Sequence, residues 1–199
     1  MKHQQKLIFI HILKCAGSSI TRALNAMEDT HHCCSPKIGK HAKAFEVKFL
    51  LGEDLWEDYF SFAFVRNPFD LMVSSYHWWL QKAPHLKHHQ ANAKKVAAMG
   101  DFDRFMCSRF GRHMINERYG TLYDWLAEGE RCIVDYVGKM ETLQADFQEI
   151  CRLNHLPEVS LPHENRTQRT HYQSYYTPAT RQIVENRFAK TLDRYDYAF

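Results

Sequence analysis

Lys14, Gly17, Ser18 and Ser19, in the run LKCAGSS, have the types and spacing to hold an anion. An apolar run, LIFIHIL, precedes them, and Ile20, Ala23, Leu24 and Met27 follow at helical spacing, so the loop joins a buried strand to a helix N-terminus. The first amides of a helix lack intrahelical acceptors and carry the positive end of its dipole. Lys14 adds a full charge, Gly17 allows close backbone approach and the serine hydroxyls donate further bonds. The pattern is not GxxxxGK[ST], because Lys14 comes before the glycine. Taken alone, it also fits an ordinary strand-to-helix turn in which Ser18 merely caps the helix.

A second segment, FAFVRNPFDLMVSSY, repeats the design. An aromatic strand over 59–65 runs into Arg66, and Pro68 opens a helix at the position where its missing N–H costs nothing. Phe69, Met72, Val73 and Tyr76 share one face of that helix and leave Ser74 on another. A guanidinium at a strand end with a hydroxyl on the next helix suits a second anion. An internal ion pair is the alternative for Arg66.

With both motifs in view, the chain resembles the sulfotransferases that use 3′-phosphoadenosine 5′-phosphosulfate (PAPS), in particular the carbohydrate-type branch with bacterial members and Golgi heparan and chondroitin enzymes. In that family P-K-x-x-G-[ST]-[ST] holds the 5′-phosphosulfate and R-x-P-x(5)-S-x-Y holds the 3′-phosphate. Here they read LKCAGSS and RNPFDLMVSSY, in the same order, with Leu13 in place of the proline. GKHAKAFEVKFLLG, VDYVGKMETLQADF and the C-terminal LPHENRTQRTHYQSYYTPATRQIVENRFAKTLDRYDY are also family-like, so the resemblance spans nearly the whole chain.

The resemblance implies sulfuryl transfer from PAPS to an acceptor hydroxyl, of a carbohydrate or glycoconjugate, leaving 3′,5′-bisphosphoadenosine (PAP). It assigns the donor to Lys14, Cys15, Ala16, Gly17, Ser18, Ser19, Arg66 and Ser74, with Arg166 closing over the nucleotide and Lys14 stabilising the leaving oxygen. Cys15 enters as a backbone ligand, not a nucleophile. His41, in GKHAKAFE, matches the family's histidine-alanine segment and is the expected general base, since a sugar hydroxyl is a poor nucleophile at neutral pH. His11 reads as a core histidine. Glu141 is either a substrate-orienting acid or a first-turn helix acid. A nucleotide-dependent kinase lacks its loop and magnesium-binding acids here; a non-catalytic nucleotide- or glycan-binding module is the other alternative.

With 199 residues, 45% of them hydrophobic and 14% aromatic, the chain is expected to form a single domain over 1–199 with a variable insertion around 83–120. A net charge of +3 with dispersed Lys and Arg suits an anionic cofactor and disfavours a nucleic-acid partner. Cys15, Cys33, Cys34, Cys107, Cys132 and Cys151 form no CxxC pair and follow no signal peptide, which fits a reduced, cytoplasmic, bacterial-type enzyme unless the chain is a trimmed Golgi-type catalytic domain. No run reaches the length of a transmembrane segment. His31, His32, Cys33 and Cys34 lack zinc-ligand spacing, so no metal is expected.

These residues must be positioned by strands alternating with helices: a three-layer α/β/α fold with a largely parallel central sheet, the P-loop NTPase-like sulfotransferase fold, whose strand C-termini carry both anion motifs. Phe45 and Phe49 begin a helical pattern ending near Gly52, and Cys132–Val137 reads as a buried strand followed by a helix marked by Leu143, Phe147 and Ile150. Thr121 and Asp124 have capping-box spacing. Thr177 and Pro178 open a last long helix. The Lys- and His-bearing stretch over 83–100 reads as mobile or substrate-facing, with His85, His88 and His89 on a solvated or acceptor-binding face. Tyr76, Trp78 and Trp79 read mostly as core, with one ring able to stack on adenine or sugar.

Overall fold

A computed structural model describes residues 5–27, 30–32, 41–114, 121–162 and 167–199. The chain divides into two compact units, one from residues 1–66 and 122–164, the other from 67–121 and 165–199.

The first unit is built on a parallel sheet. Strand β1 (Gln5–Ile10) leads through a loop into helix α1 (Gly17–Ala26), followed by β2 (Thr30–His32), α2 (Ala44–Leu51), α3 (Glu53–Glu57) and β3 (Phe60–Val65). After the other unit's first segment come β4 (Ala127–Glu128), β5 (Arg131–Cys132), β6 (Tyr136–Lys139) and α8 (Leu143–Leu153). The strand order is β2-β1-β3-β6, all parallel, with β4 and β5 forming a separate antiparallel pair. Leu7, Ile8, Ile10, Phe62, Phe64 and Val65 are fully buried, as expected of parallel strands covered on both faces. The mixed α/β class with helices flanking a parallel sheet is thus as the sequence predicts.

Register places Ile10 opposite Ala63 and Val65 opposite Lys139, so the loops leaving β1, β3 and β6 emerge at one sheet edge. Two close approaches shape this region. A Cβ on Gly138 would lie 2.5 Å from the Phe64 ring, so that glycine makes room for a core aromatic. The Asp135 carboxylate accepts from both the amide and the hydroxyl of Ser61, at 2.7 Å each, which breaks the expected 132–137 strand into β5, a bend and β6. Thr121 precedes, and Asp124 lies within, a single 3-10 turn, Tyr123–Trp125, not an α-helix. Helix α2 ends at Gly52 with φ +83°, as its pattern implies, yet it buries Ala44 and Val47 and leaves Phe45 and Phe49 exposed.

The second unit is helical: α4 (Pro68–Gln81), α5 (Gln90–Ala97), α6 (Phe102–Cys107), α7 (Arg109–Met114), α9 (Pro178–Arg187) and α10 (Ala189–Arg194). The Asn67 side chain accepts from the Phe69 amide at 3.0 Å and Pro68 occupies the first turn, so α4 starts where its sequence directs. Every α4 residue from Pro68 to Tyr76 except Asp70 is buried, Ser74 included, because α4 is packed on several sides. Rings of Tyr172, Tyr176 and Phe199 gather on Phe69, while Phe102 and Phe105 gather on Tyr76. The Thr177 capping box and Pro178 open α9, but the expected long helix breaks at Phe188 before α10. The 83–100 stretch contains a 3-10 turn and α5, anchored by buried Ala93 and Val96.

Candidate functional site

The loop between β1 and α1 is strained. Lys14 and Ala16 adopt left-handed backbone, with φ of 65° and 58°, where a Cβ clashes with the following carbonyl at a cost of about 1–2 kcal/mol per residue. The Cys15 amide donates to Ile12 O at 3.4 Å, closing a turn with Leu13 at its second position and Lys14 at its third. A type II turn favours proline at the second position and positive φ at the third, so the family's proline would fit where Leu13 stands. Ala16 is the N-cap of α1, no side chain caps the helix, and the first amide to donate within it is Ile20, to Ala16 O at 3.2 Å. Ser18 is therefore not a cap, and helix geometry directs the Gly17, Ser18 and Ser19 amides out of the helix end.

Arg66 follows β3 and is 9% exposed. Its Nη1 donates to Lys14 O at 3.0 Å, so the guanidinium braces the loop that carries the lysine. Cys15 is 1% exposed, and burial pushes its thiol up to about 12 against the opposing pull of Arg66 and Lys14, with Glu141 adding to the rise. A thiol that stays protonated is a poor nucleophile and adds no negative charge to the loop.

His41 reaches the same loop from the chain entering α2. Its Nδ1 lies 3.0 Å from His11 O. A carbonyl only accepts, so Nδ1 carries the proton and Nε2 keeps the lone pair in the neutral ring, the tautomer a base requires. The His41 ring is exposed and meets the His11 ring edge-on at 4.7 Å. His11 is 6% exposed and stacks on Phe9 at 5.5 Å, which stacks on Phe62 at 5.1 Å. Its imidazole occupies the space beside Gly17, where a Cβ would sit 1.9 Å from His11 Nε2. His11 is thus a core histidine, as read, but its carbonyl orients His41 and its ring explains Gly17. Nothing in the sequence joins positions so far apart.

Glu141 lies exposed in the 3-10 turn Met140–Thr142 after β6. Asp146 holds that turn, accepting from the Lys139 amide at 2.7 Å, Thr142 Oγ1 at 2.7 Å and the Tyr136 hydroxyl at 3.1 Å. Burial, with Asp146 beside it, pushes the Tyr136 phenol up to about 12. Lys14, Cys15, Ala16, Gly17, Ser18, Ser19, His41, Arg66 and Glu141 all belong to the first unit. Ser74 lies on α4 in the second, and Arg166 lies outside the described residues. Cys33 and Cys34 also lie outside them, and among the described residues no group of His, Cys, Asp and Glu is placed to hold a metal ion.

A family model described as the Sulfotransferase family matches residues 1–198. The chain belongs to the sulfotransferase family. The match runs across both units of this sulfotransferase and takes in the Lys14 loop, His41 and the Arg66 segment. No curated protein matches the chain in a search of individual sequences. Among its described residues, no helix is long and apolar enough to cross a membrane. The activity class is transfer of a sulfuryl group to an acceptor.

Proposed function

We propose that this sulfotransferase is a single domain over 1–199 that moves a sulfuryl group from PAPS to a hydroxyl of a carbohydrate or glycoconjugate, by in-line displacement and without a metal. The observation that carries the reading is that one strained loop receives both a buried guanidinium, through Lys14 O, and an oriented imidazole, through His11 O. The residues suit an anionic donor: a helix N-terminus, a lysine and a buried arginine surround a thiol that remains neutral.

PAPS supplies an activated sulfuryl group with a phosphate leaving oxygen. The amides of Gly17, Ser18 and Ser19 and the serine hydroxyls bind its 5′ end, while the Cys15 amide is spent on the turn and helps only by shaping it. Lys14 neutralises charge on the leaving oxygen, an electrostatic role worth on the order of 10²–10³ in rate for one well-placed donor. His41 Nε2 takes the proton from the acceptor hydroxyl, with Nδ1–H held by His11 O. Arg66 contributes the charge of its guanidinium to the 3′-phosphate. Ser74 and Arg166 are assigned to the nucleotide by the motif resemblance alone.

Calorimetric titration of PAP beside ATP, ADP and 5′-AMP, without added metal, tests the donor class. Selective PAP binding supports it, and preference for ATP with magnesium overturns it. His41→Ala is then expected to abolish transfer while keeping PAP affinity, and an active variant would remove the histidine from the mechanism.

A further inference from the structure

Among the described residues, four of the six large apolar side chains left exposed are clustered on α2 and α3: Phe45, Phe49, Leu50 and Leu55. Phe49 is 86% exposed and Leu50 59%. Ala44 and Val47 of α2 and Trp56 of α3 are buried, so both helices are anchored by an inner face and turn these four residues outward. Phe45 and Phe49 stand one turn apart on α2, and Leu50 widens the stripe. With an aromatic side chain covering about 150–250 Å², the four residues leave open on the order of 400 Å² of apolar surface. A patch of that size marks an interaction site, and it supplies about half of the ~800 Å² that each partner brings to a standard interface.

The two ends of the stripe carry opposite charge. Lys43 is the N-cap of α2, and Glu53, Asp54 and Glu57 lie exposed on α3. Between them, Lys48 is engaged by Glu53 at 2.8 Å and by Glu128 at 3.4 Å, while Asp58 is paired with Lys6. No ion pair among the described residues takes up Lys43, Asp54 or Glu57. Phe49 follows Lys43 by six positions and precedes Asp54 by five. A two-fold axis beside Phe49 therefore brings the Phe49 rings of two copies together and sets the Lys43 end of each against the acidic α3 of the other. The same charges disfavour a bilayer as the occupant. Across positions 41–58 five carboxylates accompany two lysines, and anionic headgroups repel that balance.

We propose that the outer face of α2 and α3 is a self-association surface on which a second copy of this chain packs antiparallel. Charge selects this occupant, because the stripe is its own complement when one copy is reversed. The charged residues flanking the stripe supply the rest of the interface as a polar rim. Helix α2 begins three residues beyond His41, so the second copy borders the segment that brings that imidazole to the loop. The inference stands on exposure and charge and is independent of the donor and acceptor of the reaction.

The test is sedimentation velocity of the full chain over a wide range of concentration. A species of about twice the 23.6 kDa of one chain is expected to grow with concentration. Phe49 is open to solvent, so Phe49→Glu leaves the fold intact by circular dichroism and is expected to weaken association at least tenfold. Leu153→Glu, at an exposed apolar position of α8, is expected to leave it unchanged. Lys43→Glu alone, and Asp54→Lys with Glu57→Lys, are each expected to weaken self-association. Mixed together, those two variants are expected to pair at least tenfold more tightly than either does with itself, since the mixed pair restores opposite charge at both ends. A chain that stays monomeric overturns the inference, as does a dimer indifferent to Phe49→Glu or a mixture that pairs no better than its components. Flotation with phosphatidylglycerol vesicles that is lost in Phe49→Glu also overturns it, by giving the face to a membrane.

Discussion

Gly17→Ala is the most informative perturbation. The added Cβ would lie 1.9, 2.1 and 2.4 Å from Nε2, Cδ2 and Cε1 of His11, against an ordinary contact of 3.4–4 Å, so the imidazole must retreat by well over an ångström. It has little room to do so, being 6% exposed and hemmed in by Phe9 and His41. Overpacking of this kind costs about 1–3 kcal/mol, while alanine over glycine in a helix returns at most about 1 kcal/mol. A net loss of about 1–2 kcal/mol is expected, lowering Tm by roughly 2–8 °C for a chain of this size. Because His11 O holds His41, a displacement of about 1 Å at this proposed base is expected to cost on the order of 10²-fold in kcat/KM. Thermal melts of Gly17→Ala, His11→Ala and the double variant close a cycle, whose coupling is expected within about 0.5–3 kcal/mol, the double variant recovering stability. A Gly17→Ala protein with unchanged Tm, or strictly additive effects, would refute the packing argument.

Three further outcomes follow from other positions. Ala16→Gly removes a Cβ from a left-handed residue and is expected to stabilise the chain by about 1 kcal/mol, read as a higher urea midpoint with unchanged slope; a lower midpoint contradicts the strain reading. Burial, and the Arg169 charge beside it, depress the pKa of His77, whose Nδ1 accepts from Gln81 and whose ring meets Tyr76 and Tyr175. A folded pKa below the unfolded value of about 6.5 means the unfolded chain binds the extra proton first, so His77 is expected to contribute stability at neutral pH that is lost as pH falls through and below that value. His77→Asn is expected to flatten the acid limb of Tm against pH, and an identical limb removes His77 as its source. Iodoacetamide at pH 8 is expected to alkylate exposed Cys107 while sparing native Cys15, checked by peptide mass mapping; rapid labelling of Cys15 in the folded protein contradicts its burial.

The elements that position the site were legible where their signals are local. The β1 apolar run, the spacing of Ile20, Ala23 and Leu24, Pro68 at the start of α4, and Thr177 with Pro178 at the start of α9 each act within a few residues. The 132–137 run misled because its apolar content says strand, while the Asp135 carboxylate bends it toward Ser61, 74 positions away. Phe45 and Phe49 show helical spacing without facing the core, since periodicity fixes a face but not what covers it.

By itself, the amino-acid order determined the strand-to-helix loop at Lys14, the arginine at the end of β3, the mixed α/β class and the family, because backbone preference, helix starts and short motifs are properties of neighbouring residues. Only the tertiary structure decided that Arg66 clamps Lys14 O, that His11 O sets the tautomer of His41, and that Gly17 is small because His11 fills its side. Those relations join residues far apart in the chain, through hydrogen bonds and packing that form only once the parallel strands bring the ends of β1 and β3 to one edge, and the helices of the second unit close around α4.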